Sequence, residues 1–124
     1  MQVNGFFLNL TSDQPEKLLA FYRDVVGLAA FPEMGPDALS LGGGGALGID
    51  GHSETHGQAS EPTRLILNLM VADAKAERER LEGLGVRFIR KEGVEYWGGI
   101  ISTFIDPDGN YCQVVAMGAA PDAS

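Results

Sequence analysis

The tripeptide Leu8-Asn9-Leu10 returns as Leu67-Asn68-Leu69, and the elements that follow each copy return with it. Each copy sits in an alternating apolar stretch that reads as a strand. A polar segment then opens a helix, glycine stops it, and three short strands follow. An element order that occurs twice within 124 residues predicts one α+β domain built from two tandem βαβββ modules. The repeat lies in the order of elements and is weak in residue identity. Module one is expected over about 3–50, a polar linker loop over 51–62, module two over about 63–117, and a flexible tail over 118–124.

In the first module the strand is expected over 4–11. Asp13 is a candidate N-cap, Pro15 suits the first turn, and Glu16 favours the positive end of the helix dipole. Leu18, Phe21, Tyr22 and Val25 form one apolar stripe at helical spacing, and Gly27 ends the helix. Short strands are expected near 28–32, 37–41 and 45–50. The Gly42–Gly45 run lacks the Lys-Ser/Thr and helix start of a phosphate loop and reads as a hairpin tip.

In the second module a strand is expected over 64–71. Asp73 caps a helix from Ala74 to about Leu84, whose buried face is Ala74, Leu81 and Leu84. Its charged residues pair at i,i+4 (Lys75/Glu79, Arg78/Glu82) and read as a solvated face. Strands follow over 86–90, 99–105 and 111–117. The last two flank Asp106-Pro107-Asp108-Gly109-Asn110, a tight turn in which Pro107 presets φ, Asp106 bonds forward, and Gly109 takes φ > 0.

Three stretches carry a resemblance to a known family. Asp106-Pro107-Asp108-Gly109-Asn110, followed by Gln113 on the last strand, resembles the C-terminal signature of the vicinal oxygen chelate superfamily. This superfamily includes glyoxalases, extradiol dioxygenases, and the bleomycin- and fosfomycin-resistance proteins. Pro15 to Leu28, with Phe21-Tyr22 and Gly27-Leu28, resembles the first helix of such a module, and Glu95-Tyr96-Trp97-Gly98-Gly99 resembles the aromatic-Gly-Gly segment of the resistance-type members. The resemblance spans about residues 5–117. It implies the glyoxalase/bleomycin-resistance fold, with curved mixed sheets enclosing a cavity, and a homodimer.

Alternate strand residues share a face. Leu8, Leu10, Leu65, Leu67 and Leu69 suit the helix side, so Phe7, Asn9, Thr11, Ile66, Asn68 and Met70 are expected on the cavity face. Gln113 joins them with Tyr111 and Val115. The resemblance places the family's metal positions at Phe7, Ile66 and Gln113. Phenylalanine and isoleucine cannot ligate, and glutamine is a weak neutral ligand. No metal and no cofactor are therefore expected. The ligand-binding set is Phe7, Asn9, Thr11, His52, Ile66, Asn68, Met70, Tyr96, Trp97 and Gln113, an apolar and aromatic wall with a few amides and hydroxyls. No catalytic residue is assigned, because no ready base or nucleophile faces the cavity.

Composition excludes some partners. A net charge of −8 repels phosphate backbones, so nucleic acid is not an expected partner. No apolar run approaches the roughly 20 residues of a membrane span. No basic start with a continuous apolar stretch opens the chain, and one cysteine, Cys112, fits a reducing compartment, so a cytoplasmic location is expected. The leading functional reading is a metal-free small-molecule-binding protein of the bleomycin-resistance type, sequestering an antibiotic or a metabolite. The alternative is a metal-dependent glyoxalase-like lyase, isomerase or dioxygenase with displaced ligands from Asp50, His52 or His56. A third reading, weaker than both, is an accessory protein whose aromatic surface binds another protein.

Overall fold

The computed structural model describes residues 1–118. The expected tail falls outside the described residues except for Gly118, whose N–H donates to the Gly98 carbonyl (2.8 Å). The chain forms two compact units, Met1–Gln58 and a second beginning at Ala59, and the division falls within the polar stretch 51–62. No helix among the described residues is long and apolar enough to cross a membrane.

The first unit is a three-stranded mixed sheet with one helical segment: β1 (Phe7–Thr11), α1 (Pro15–Ala20), β2 (Leu39–Gly42) and β3 (Gly45–Asp50), in sheet order β1-β3-β2. β1 runs parallel to β3, with Phe7, Asn9 and Thr11 level with Ala46, Gly48 and Asp50. The helix cap differs from expectation. Gln14 occupies the N-cap position without a side-chain cap bond. Asp13 instead accepts from the Gly57 N–H (2.7 Å), and the Ser12 hydroxyl accepts from the Gln14 N–H (2.9 Å).

Beyond Ala20 the helix widens into a π-helical turn over Phe21–Val26 and ends at Gly27, whose φ of 89° only glycine adopts freely. A π turn advances less per residue than an α turn. The core side of the segment is therefore Leu18, Tyr22 and Val26, with Val25 and Phe21 only half-buried. α1 packs on β3.

The expected strand at 28–32 is reduced to a single bridge between Ala30 and Leu39. Pro32 has no N–H to extend a ladder and instead starts a 3-10 turn over Pro32–Met34. The first unit is thus βαββ. The glycine run makes the β2–β3 tip, with Gly42, Gly43 and Gly44 all at positive φ.

The second unit is a four-stranded mixed sheet with one helix: β4 (Leu67–Met70), α2 (Ala74–Gly83), β5 (Phe88–Val94), β6 (Gly99–Ile105) and β7 (Tyr111–Met117), in sheet order β4-β7-β6-β5. The Asp73 carboxylate accepts from the Ala76 N–H (3.0 Å), the expected cap. α2 lies against β5, β6 and β7. Leu81, Ala74, Phe104, Cys112 and Val114 are buried, and Phe104 meets Phe88 at 5.4 Å. Two leucines depart from expectation. Leu84 follows the last helical turn and is exposed; Leu65 precedes β4 and is exposed as well.

The Asp-Pro-Asp-Gly-Asn turn is held by one carboxylate. Asp106 accepts from the Asp108 and Asn110 N–H groups (2.9 Å each) and from the Asn110 side chain (2.9 Å). Gly109, at φ 82°, donates to the Asp106 carbonyl (3.0 Å).

β5 is the irregular strand. Arg90 pairs with Thr103 and Gly93 with Ile101, so one extra residue is inserted and Glu92 takes φ 41°. The bulge turns Glu92 to the helix side. There it takes two bonds from Arg78 (2.7 and 2.5 Å) and one from the buried Ser102 hydroxyl (2.8 Å). Arg78 also donates to Glu82 (2.6 Å), and Lys91 reaches Glu82 (2.7 Å). Arg78 and Glu82 are therefore not part of a solvated face; they tie α2 to β5. Hydrogen bonds from the Arg78 guanidinium, with Ser102 assisting, hold the Glu92 carboxyl down to about 2.

Candidate functional site

The first unit contains a cavity of about 300 Å³ on the face of β1 and β3 that carries Phe7 and Asn9. Its floor continues through Ala46 and Gly48, and the Met34–Ala38 segment walls one side. That segment exists because the strand expected at 28–32 gives way at Pro32. Gly48 makes room for the amide: a side chain there would begin 2.9 Å from the Asn9 Oδ1. The charged lining is Asp37 and Asp50. Asp50 was named in the sequence as a displaced metal ligand of the alternative reading. Asp37 was missed, and the only signal for it was the Gly35-Pro36 break before it.

Thr11 lies on the same face of β1 but outside the cavity lining; its hydroxyl bonds the Thr55 hydroxyl (2.7 Å). His52 is exposed, and its Nδ1 accepts from the Glu54 N–H (3.1 Å), closing a local turn. Nothing places it in the cavity lining.

In the second unit the register lines up Asn68, Gln113 and Thr103 across β4, β7 and β6. Their side chains are joined. The Thr103 hydroxyl donates to Gln113 Oε1 (2.8 Å), Gln113 Nε2 donates to Asn68 Oδ1 (2.5 Å), and Asn68 Nδ2 donates to the Ile66 carbonyl (3.2 Å). Thr103 was missed, although its place three residues before the turn made it readable from strand alternation. Met70 is exposed one step further along the same face of β4. Ile66 lies just before β4 and contributes its carbonyl rather than a strand position.

Tyr96 and Trp97 form the tip of the β5–β6 hairpin, closed by Glu95 N–H to Gly99 carbonyl (2.8 Å) and Gly98 N–H to Glu95 carbonyl (2.9 Å). Tyr96 is 99% exposed, which rules out a core role within the chain. The Trp97 indole lies across Gly99, where any side chain would overlap the ring.

The donor chemistry at the family's metal positions does not fit a metal. Phe7 and Ile66 supply no ligand atom, and Gln113 is a neutral amide, a weak ligand that cannot offset a divalent cation's charge. Among the described residues, no three of His, Cys, Asp and Glu come together as a metal-binding group. Asp50, His52 and His56 are therefore not assembled into such a group.

A sequence model of the Glyoxalase/Bleomycin resistance protein/Dioxygenase superfamily matches residues 6–114. No curated protein matches the chain. Similar solved structures include TnmS3, an antibiotic binding protein from Streptomyces sp. CB03234. It has 24% identity and a TM-score of 0.69, over 94% of this chain and 98% of that one. An integron cassette protein from the mobile metagenome of V. cholerae has 21% identity and a TM-score of 0.69, over 94% and 97%. A glyoxalase/bleomycin resistance protein/dioxygenase from Nocardioides has 16% identity and a TM-score of 0.70, over 100% and 89%. At these identities the likeness shows a shared fold.

Proposed function

We propose that this chain, which belongs to the Glyoxalase/Bleomycin resistance protein/Dioxygenase superfamily, binds a small organic molecule without a metal centre and sequesters it. The observation that carries the reading is the cavity of about 300 Å³ bounded by Phe7, Asn9, Asp37 and Asp50. That volume lies at the lower end of small-molecule pockets. Its chemistry selects a class of ligand. Phe7 offers an aromatic face, Asn9 one amide, and the two aspartates favour a positive charge. Residues 1–58 carry only Lys17 and Arg23 against seven acidic side chains, which strengthens that preference. The favoured ligand is an aromatic or apolar molecule bearing an amine, an antibiotic or a metabolite. The antibiotic binding protein that shares the fold is compatible with this role.

The test is calorimetry on chelator-treated protein with proflavine, a planar aromatic cation, as the probe. One-to-one binding without added metal is expected, weakened about tenfold or more by Phe7→Ala and by the pair Asp37→Asn, Asp50→Asn. Binding that appears only with a divalent metal, or that survives all three changes, removes the reading.

A further inference from the structure

We propose that the Gln113 carboxamide is a recognition edge for a ligand that carries an N–H donor beside a carbonyl acceptor, as a lactam or a cis amide does. The proposal concerns the second unit and does not depend on the cavity of residues 1–58.

One backbone group fixes the orientation of every amide in the row. The Ile66 carbonyl can only accept, so the atom of Asn68 facing it is Nδ2. Asn68 Oδ1 then faces Gln113 and must be met by a donor, which fixes Gln113 Nε2 on that side. Gln113 Oε1 is left facing Thr103, whose hydroxyl donates to it. Thr103 is only 4% exposed, so this end of the row is held inside the protein.

Each amide group has two N–H bonds and two lone pairs. The neighbours of Gln113 stand level with it on the two adjacent strands, Asn68 on β4 and Thr103 on β6. They take the N–H and the lone pair that point sideways along the row. The second N–H and the second lone pair lie on the edge turned away from the sheet. No other bond to that half-buried side chain is present among the described residues. A donor and an acceptor side by side on one rigid amide edge pair with an acceptor and a donor side by side on another. Proteins use the same match when Asn or Gln reads an adenine edge. The chain of bonds through Thr103, Gln113 and Asn68 also polarises each member, which strengthens the open pair. Tyr111, two residues earlier on the same strand face and half-buried, flanks the edge with an aromatic ring, while Val115 on the other side is buried.

The full ¹⁵N-labelled chain is titrated with isoquinolin-1(2H)-one and, separately, with its N-methyl derivative, which keeps the carbonyl and the rings but loses the donor. The expected result is a shift of the Gln113 side-chain amide signal with the N–H lactam and about tenfold weaker binding of the N-methyl compound, the effect of one well-placed hydrogen bond. The difference between the two probes should vanish in Gln113→Leu, with Gln113→Met as the replacement if that variant fails to fold. Equal affinities in the unaltered chain, no binding of either probe, an unmoved Gln113 amide signal, or a preference that survives in the variant overturns the proposal. Proflavine binding is read on the same samples. Its loss alone removes the cavity reading and leaves this one standing.

Discussion

Residues 1–58 and the unit that starts at Ala59 begin alike. Each has an edge strand paired in parallel with the last strand of its own sheet, then a helix. They part company after the helix. The second unit completes a four-stranded sheet and secures its irregular points with side chains: Asp106 in the turn, Glu92 with Arg78 and Ser102 in the bulge. The first unit drops a strand at Pro32 and makes its tip from glycine, and its Met34–Ala38 segment becomes the wall of a cavity. A missing strand in one unit is what leaves room for a cavity there. A complete sheet in the other is what lets three side chains line up across it.

If side chains secure the second unit, the largest loss should come from Asp106→Ala. The residue is 4% exposed, and the change strands three donors in a buried turn. A loss of about 3 kcal/mol is expected. Asp13→Ala in the first unit removes one exposed bond to Gly57 and should cost about 1 kcal/mol or less. Chemical denaturation of the two variants measures both. Equal losses would erase the contrast between the units.

A pH titration sharpens the same contrast. The Glu92 carboxyl is held down to about 2 in the folded chain, below its ordinary value near 4.5. A depressed carboxyl contributes stability that is fully present above the unfolded value and is lost as pH falls through the folded value. The stability advantage of the natural chain over Glu92→Gln should therefore be constant above about pH 4.5 and shrink between there and about pH 2. Urea unfolding across that range reads it. A difference between the two chains that does not change with pH would mean that the Arg78 pair is not what holds β5.

Much of this contrast was legible in the sequence wherever a residue type forces a backbone state. Asp-Pro-Asp-Gly-Asn announced its turn, Asp73 its cap, and the glycine run its tip, because these residues act on their own neighbours. The strand faces that carry Phe7, Asn9, Asn68 and Gln113 followed from alternation alone. What could not be read depends on chain that is distant in sequence. Nothing in Lys91-Glu92-Gly93 marks the inserted residue, since a positive φ at glutamate is sustained by Arg78 and Ser102 and not by its own chemistry. For the same reason Arg78 looked solvated until the bulge brought Glu92 to it. Asp13 read as a cap because a cap is a local act, whereas its bond to Gly57 spans 44 residues. Asp37 lines the cavity only because a strand failed to form before it.

The smallest expected effect tests the glycine tip. Gly43 has φ 58°, which is the centre of the left-handed region, and open space surrounds its Cα. Asparagine tolerates that region better than other side-chain residues. It also restricts the unfolded chain more than glycine does, which offsets its strain. Gly43→Asn should therefore change stability by no more than about 0.5 kcal/mol. Gly43→Val has a branched side chain that disfavours positive φ and should cost about 1–2 kcal/mol. If both variants were equally neutral, the β2–β3 tip would tolerate a different backbone, and the first unit would not need its glycines to turn. If both were costly, the tip would touch something besides solvent, and the cavity-bearing unit would be held as closely at its tip as the other unit is at Asp106.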